Sequence, residues 1–567
     1  MSENNETISI NLDGENVEVP TGINVIEAAA HLGKEIPHYC YHPHLSVVGN
    51  CRMCMFELGM PMKDRGTGEP ILDENGEQKI GFMPKPAIAC STKVAPGMHV
   101  RTDSEMTREC QQGVMEFLLV NHPLDCPICD QAGECRLQEF ATDYGRGYSR
   151  FVEEKNPKPK RTRLGPRVML DDERCILCSR CVRFCNEIVD DDVLGFIDRG
   201  SYSTLTCYPG RELENNYSLN TVDICPVGAL TSTDFRFKMR VWFLKPVNSI
   251  CTESSVGVNT QVWSREGKIY RVTPRRNDAV NDSWMSDSGR ALYKLVDAED
   301  RLKHSRLNAE EASFDKVAQA AATYLRNGKP CYVGSGHMTL EEQFMMRELS
   351  REIPGPIHYV HHQAEGDGLL ISADRTPNLR GALVTGLIED LPGTQLDQLG
   401  KQIDAGEVDT ILVQEEDLLD AGLTETQLQK VNIIYLGTRE NATSKRAEVV
   451  LSGLTVFEKN GSFINQQFRL QKFNACIVPH IEGTRAPIAA YARIKGFYNN
   501  TATNTPNVNT VWQRMAGEID VLKDHHYSTI PEEGVLIDGS RWEYLPFCEG
   551  KTLHYNPESA LSAAESA

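Results

Sequence analysis

The chain contains no run of 18 apolar residues, so nothing in its 567 residues is expected to span a bilayer. Its opening, MSENNETISI, lacks the basic and then apolar regions of a secretory signal, so the protein is expected in the cytoplasm or on the cytoplasmic side of a membrane. Positive charge is scarce. Lys and Arg total 59 against 79 Asp and Glu, and the net charge of −20 disfavours nucleic acid and anionic lipid as partners. The one basic stretch, Lys158 to Arg167 (KPKRTRLGPR), reads as a solvated linker interrupted by proline. A dinucleotide fingerprint is missing as well, since GTGE at Gly66 is only a loop. Cysteine is nearly absent from the second half, where only Cys331, Cys476 and Cys548 follow Cys251.

The other 15 of the 18 cysteines lie within the first 251 residues. Cytosolic thiols are kept reduced, so this density reads as metal ligation and not as disulfides. The chain therefore divides into a metal-rich front and an ordinary globular back. At the start, Ile8, Ile10 and Leu12 alternate with polar residues, Asp13-Gly14 supplies a turn, and Val17 and Val19 alternate again, a hairpin pattern. A short helix from Val25 to Leu32 follows, opened by Asn24 with Glu27 three residues on and closed by Gly33. A hairpin, a helix and then cysteines in a loop is how a β-grasp ferredoxin begins. The stretch between Cys54 and Cys90, with GTGEPILDENGEQKIG, reads as a surface excursion, and a helix is expected around Thr107 to Val120. After residue 245 the pattern changes: Cys331–Val333, Ile411–Val413, Ile433–Leu436 and Val449–Leu451 are strand candidates between helical stretches, one opened by Thr339 and Glu342 as a capping box. Strands alternating with helices indicate a parallel α/β sheet. The Ala/Ser/Glu-rich tail after Asn556 is expected to fray.

Three sets of donors stand out. Cys40, Cys51, Cys54 and Cys90 combine a close pair (CRMC), an upstream partner and a distant fourth thiolate, which suits a [2Fe–2S] loop closed by a later strand. A four-thiolate zinc site is the alternative, although zinc sites usually pair two C-x2-C knuckles and only one is present here. His122, Cys126, Cys129 and Cys135, in HPLDCPICDQAGEC, crowd four soft or borderline donors into 14 residues. Local spacing leaves His122 open between the fourth corner of a [4Fe–4S] cubane and an outer-sphere histidine, and a Cys3His zinc knuckle also fits. Cys175, Cys178, Cys181 and Cys225 form CILCSRC with a remote Cys-Pro, the C-x2-C-x2-C pattern of a [4Fe–4S] ferredoxin. Cys185 has no second motif to complete, and Cys110 and Cys207 stand alone; all three read as structural thiols.

This order of sets resembles the G subunit of NADH-quinone oxidoreductase, the large iron–sulfur subunit of respiratory complex I. The resemblance implies that His122 is a ligand together with the eleven cysteines of the three sets. It implies one [2Fe–2S] and two [4Fe–4S] clusters, no catalytic residue of the chain's own, and a relay of electrons from an NADH/FMN-binding subunit toward quinone-site subunits. The partners are then the other peripheral-arm subunits, on the cytoplasmic side of the inner (cell) membrane. In the back half, Glu458-Lys-Asn-Gly-Ser-Phe-Ile-Asn465 and Phe468-Arg469-Leu470-Gln471 are similar to a stretch of the molybdopterin oxidoreductases, implying a shortened scaffold that holds no molybdenum. SICTESSVGVN from Ser249 looks like a fourth-cluster segment that keeps only Cys251, with Ser254, Val258 and Ser286 at the other ligand positions. The expected architecture is an α+β front and an α/β molybdopterin-oxidoreductase-like back. Its domains are a β-grasp [2Fe–2S] domain (1–102), a His/Cys3 [4Fe–4S] domain (103–150), a ferredoxin-like [4Fe–4S] domain (151–244) and the reduced scaffold (245–567). The rival readings are a molybdenum-dependent formate dehydrogenase-like catalytic subunit, an [FeFe] hydrogenase and a structural zinc scaffold.

Overall fold

The alternating residues at the start do pair. β1 (Thr7–Leu12) and β2 (Glu15–Pro20) form an antiparallel hairpin with Ile8 opposite Val19 and Ile10 opposite Val17. In this computed structural model, which describes residues 6–502 and 504–557, the chain forms two compact units, 1–242 and 243–567. The tail expected to fray lies almost wholly outside the described residues. No helix among those residues is long and apolar enough to cross a membrane.

In the first unit, α1 (Val25–His31) is capped by Asn24 and Glu27 in a reciprocal capping box. β3 (Met55–Pro61), β4 (Ile80–Phe82), β5 (Ala87–Ile88) and β6 (His99–Arg101) complete a mixed sheet of order β2-β1-β6-β3-β4, with β5 on β3. The segment between Cys54 and Cys90 is thus only partly the surface excursion expected of it. Its two ends are strands, Phe56 is fully buried, and the exposed excursion centres on residues 62–79. Ile10, Leu12, Val19, Val25, Phe56 and Val100 fill the core between sheet and helix. α2 (Glu105–Leu119), N-capped by Ser104, buries Thr107, Gln111 and Met115, and α3 (Arg136–Tyr144) buries Leu137 and Phe140.

The basic stretch from Lys158 is not a free linker. Lys160 pairs with Asp125 at 2.7 Å and also with Glu173, Lys158 lies 3.6 Å from Asp172, and Leu164 is buried. The stretch forms β7 (Thr162–Arg163), which pairs with β8 (Val168–Leu170). Carboxylates that the fold brings against it, Asp125, Asp172 and Glu173, hold it down. α4 (Arg180–Glu187), a hairpin of β9 (Leu194–Ile197) and β10 (Thr204–Cys207), α5 (Asn220–Asp223) and β11 (Leu230–Ser232) follow, with β11 antiparallel to β8.

The second unit opens with an antiparallel sheet of β12 (Lys245–Ile250), β13 (Asn259–Arg265) and β14 (Lys268–Pro274), then α6 (Asp287–Ala291). The large sheet takes β15 (Arg306–Leu307) and β16 (Glu310–Glu311) at one edge. After α7 (Phe314–Asn327) come β17 (Pro330–Gly334), α8 (Leu340–Glu352), β18 (Ile357–Tyr359), α9 (Leu379–Val384), α10 (Asp397–Asp404), β19 (Thr410–Gln414), α11 (Glu425–Leu428), β20 (Asn432–Gly437), α12 (Ala442–Arg446) and β21 (Val449–Ser452). Strand order is β16-β15-β21-β20-β19-β17-β18, and β21 through β18 run parallel. Side chains alternate across it: Tyr332, Leu412 and Ile434 join one core, while Cys331, Val333, Ile411, Val413 and Ile433 join another. The parallel sheet is what strands alternating with helices anticipated, and apolar cores cover both its faces. β22 (Gly461–Ile464), β23 (Arg469–Phe473), α13 (Pro487–Asn499), α14 (Val508–Glu518) and β24 (Val535–Leu536) complete the unit.

Candidate metal centres

The β-grasp sheet assembles the first set. Met55 pairs with Ile88 and Phe56 with Ala87, and the Ala89 amide donates to the Cys54 carbonyl at 3.0 Å, so the chain segments carrying Cys54 and Cys90 run side by side. Left-handed backbone at Gly49 and at Arg52 (φ 61° at both) coils the preceding loop. The amides of Asn50 and Cys51 then reach the Cys40 sulfur, and the Met53 amide reaches that of Cys51. The Cys40 sulfur is in hydrogen-bond contact with Cys51 and Cys90, and Cys54 with Cys90. These contacts hold the Cys40 and Cys54 thiols low and push Cys51 and Cys90 up. Four sulfurs joined by a chain of contacts, Cys51 to Cys40 to Cys90 to Cys54, and fed by backbone donors that favour thiolate, are a donor set that fits a two-iron cluster.

The third set sits around the start of α4. Leu177 (φ 55°) and Ser179 (φ 61°) take left-handed conformations between the three cysteines, winding Cys175, Cys178 and Cys181 about one centre. Cys225 follows α5, and amides of Val227, Ala229 and Leu230 point at its sulfur, as those of Leu177 and Arg180 do at Cys175 and Cys178. The four cysteines line one small cavity with Ile176, Leu205 and Val227 among its apolar walls. Burial raises all four thiols, Cys225 to about 11. Thiols held neutral in an apolar cavity, with amides aimed at them, become stable thiolates only when a cation joins them, which fits an iron–sulfur cubane.

In the second set, Cys126, at the surface, opens a short 3-10 turn, Cys135 precedes α3, and Cys129 and Cys135 are buried; the three thiols face one another. The Gln131 amide reaches Cys129, and those of Leu137 and Gln138 reach Cys135. His122 follows α2. Burial, with Arg174 and Lys155 nearby, lowers its imidazole to about 4, so the ring is neutral and offers a lone pair. Its nitrogens make no hydrogen bond among the described residues. Arg174, paired with Asp125 at 3.2 Å and Asp171 at 3.3 Å, neighbours both His122 and Cys129. Three thiols and a free neutral imidazole suit a cubane with one nitrogen ligand.

The three sets lie in series. The turn after Cys225 abuts the second set: a Cβ on Gly228 would lie 2.3 Å from the Cys129 sulfur, and the Arg136 amide donates to the Pro226 carbonyl at 3.1 Å. On its other side, the third set meets the first through α4. Asn50 donates to the Leu177 carbonyl at 3.3 Å, and the Arg180 and Arg183 guanidinium groups donate to carbonyls of Tyr41, Cys40 and Ser46. Ligand spacing does not single out these arginines; the signal in the sequence is two bases interleaved with cysteines in CSRCVR. Cys185 is buried, and the Cys207 thiol donates to the Leu164 carbonyl at 3.3 Å.

In the second unit, Cys251, Ser254, Val258 and Ser286 are all buried. Ser286 donates to Glu253 and caps α6, Ser254 accepts from the Ser372 amide at 3.3 Å, and a Cβ on Gly289 would lie 2.7 Å from both Cys251 Sγ and Ser286 Oγ. The site is closely filled by its own side chains. The stretch from Glu458 acts as a staple: Glu458 pairs with fully buried Arg301 at 2.9 Å, while Asn465 and Gln471 donate to the carbonyls of Val256 and Gly257 at 3.0 and 2.9 Å.

Comparison with known proteins finds iron–sulfur family matches over the three donor sets and also over the segment around Cys251. Residues 5–105 match the family model of a 2Fe-2S iron-sulfur cluster binding domain, and residues 111–150 that of the NADH-ubiquinone oxidoreductase-G iron-sulfur binding region. Residues 165–231 match the ferredoxin-like domain of NADH-quinone oxidoreductase subunit 3, and residues 244–294 the NDSU1/NuoG-like 4Fe-4S domain of NADH-ubiquinone oxidoreductase. The chain thus contains 2Fe-2S and 4Fe-4S binding domains. The G subunit of NADH-quinone oxidoreductase from Rickettsia felis is 38% identical over 358 residues, covering 61% of this chain and 49% of the relative. Subunit 3 of the Thermus thermophilus enzyme is 38% identical over 360 residues, covering 60% and 46%. The mitochondrial NADH dehydrogenase iron-sulfur protein 1 of Solanum tuberosum is 41% identical over 303 residues, covering 53% and 37%. The chain spans half or less of the length of these relatives.

Proposed function

We propose, from the premise that this chain is a homologue of the G subunit of NADH-quinone oxidoreductase, that it is the electron-relay subunit of such a complex. It would take electrons from an NADH/FMN-binding subunit and pass them toward quinone-site subunits, at the cytoplasmic face of the inner (cell) membrane. The observation that carries this reading is the serial arrangement of three donor sets in one compact unit, each with backbone amides aimed at its sulfurs. When bound, the iron–sulfur groups supply one-electron carriers. Cys40, Cys51, Cys54 and Cys90 would hold a [2Fe–2S] cluster, and His122, Cys126, Cys129 and Cys135 one [4Fe–4S] cluster. Cys175, Cys178, Cys181 and Cys225 would hold the other. The chain's own contribution is positional and electrostatic: rigid loops fix the donors, amides offset thiolate charge, and the apolar walls of the third set exclude water.

Residues 1–102, 103–150 and 151–244 are proposed as the domains of the three centres. Residues 245–567 are proposed as a molybdopterin-oxidoreductase-like scaffold without molybdenum, supported by the parallel sheet covered on both faces and by the stapling role of the stretch from Glu458. Anaerobic iron and acid-labile sulfide analysis tests the whole reading. About ten irons per chain are expected, and stoichiometric zinc with little iron would overturn it.

A further inference from the structure

Arg180 stands between two ligands of the third set, Cys178 and Cys181, yet its side chain serves two sets at once. One guanidinium nitrogen donates to the carbonyl of Ile224 at 3.1 Å, the residue before Cys225. The other donates to the carbonyl of Tyr41, the residue after Cys40. A single planar fork therefore ties the peptide beside a ligand of the third set to the peptide beside a ligand of the first. Its remaining nitrogen, Nε, is buried with no hydrogen-bond partner. Among the described residues no carboxylate pairs with Arg180, and the sulfurs of Cys178, Cys225, Cys40 and Cys51 lie within its electrostatic reach.

A guanidinium drawn from water without a carboxylate needs another anion to compensate it. With the clusters of the iron–sulfur reading bound, the cysteine sulfurs of two different centres, as thiolates, would supply that anion. Arg183, one turn on, strengthens the same junction by donating to the Cys40 and Ser46 carbonyls and, at 3.2 Å, to Ser179 Oγ. The second set has a separate arrangement, because Arg174 there is already balanced by Asp125 and Asp171. We propose that Arg180 is a positioning residue and the shared counter-charge of the first and third centres, clamping their ligand loops together and raising the reduction potential of both. This rests on the iron–sulfur reading above. The physical cause is that a fixed cation favours the more negative, reduced state of each neighbouring centre, and does so strongly where water is excluded. Lysine would supply the charge without the fork that reaches two carbonyls at once.

The test is potentiometric EPR on the anaerobically purified full chain in its complex, comparing Arg180→Met and Arg180→Lys with the parent. Arg180→Met is expected to make both the first and third centres about tenfold harder to reduce, about 59 mV for a one-electron couple, with the second centre unmoved. Arg180→Lys is expected to restore most of that shift. If the methionine variant loses the first and third centres while keeping the second, and the lysine variant keeps all three, the shared counter-charge is supported through the assembly of both centres. Full iron content with both midpoints unmoved, a shift confined to one centre, or an equal shift of the second centre overturns the Arg180 proposal alone. So does loss of all three centres in either variant. Iron far below ten per chain in the unsubstituted protein overturns instead the reading on which it rests.

Discussion

His122 differs from the eleven cysteines proposed beside it in that, as a ligand, it would carry no charge, and its substitutions separate ligation from packing. With cysteine in its place a thiolate would add negative charge to the second centre, so His122→Cys is expected to keep that centre at a lower potential, whereas His122→Ala should leave it labile. Redox titration followed by EPR reads both, and an unchanged midpoint in the cysteine variant would remove His122 from the ligand set. Cys251 makes the opposite case. Glu253, Ser286 and Gly289 crowd its surroundings, and burial pushes its thiol up to about 12, the behaviour of a small buried hydrophobe. Cys251→Ala is expected to leave iron content and NADH-to-quinone turnover unchanged and to lower stability by about 1 kcal/mol or less. Loss of about four irons would instead mean that residues 251–286 hold a cluster.

At the scale of elements, the parallel sheet of the second unit gathers polar side chains where its strands end. His362, just beyond β18, bonds Glu416, just beyond β19, at 2.8 Å, and this bond to a buried carboxylate raises the imidazole above its ordinary value. A histidine raised on folding contributes stability that is complete below its unfolded value near 6.5 and fades as pH rises through the folded value. The pair is half-exposed on the histidine side, so the contribution is modest. His362→Gln should therefore lower the urea midpoint of the second unit at pH 6 and leave it nearly unchanged at pH 8.5. A deficit that grew with pH would refute the assignment. α8 shows the same coupling of local and distant contacts. Thr339 and Glu342 complete their capping box at 3.3 and 3.1 Å, while Glu342 also accepts from Gln414 at 2.9 Å and pairs with Lys459.

For the whole molecule, the two units draw stability from different sources. The second has large apolar cores on both faces of its sheet. Among the described residues the first has an apolar core around the β-grasp sheet and further buried apolar side chains, such as Val168, Leu170, Phe184 and Leu230, packed beside its cysteine loops. Metal binding there is part of folding, because the donors must be brought together and deprotonated. Chelation of iron under anaerobic conditions is expected to strip hydrogen-exchange protection from residues 126–135 and 175–230 while amides of 314–452 keep theirs. Equal loss in both units, or none in the first, would contradict this division.

Much of the site could be read from residue order alone. The spacing of CILCSRC and of HPLDCPICDQAGEC confines three donors of the third set and all four of the second to short loops whatever the rest of the chain does, so those groupings were legible without a fold. The hairpin, the capped helix and the four parallel strand candidates were legible for the same reason, since their periodicities and caps are local. Long-range pairing was not. The pairing of β3 with β5 that draws Cys54 and Cys90 together spans a segment that reads as a loop, and the carboxylates that dock Lys158 and Lys160 come from elsewhere in the sequence. The order of the sets in space also differs from their order along the chain, the third lying against both others. Sequence fixes which donors share a loop because ligand spacing is covalent. Only tertiary packing decides which loops are neighbours, and so why one arginine faces two of them.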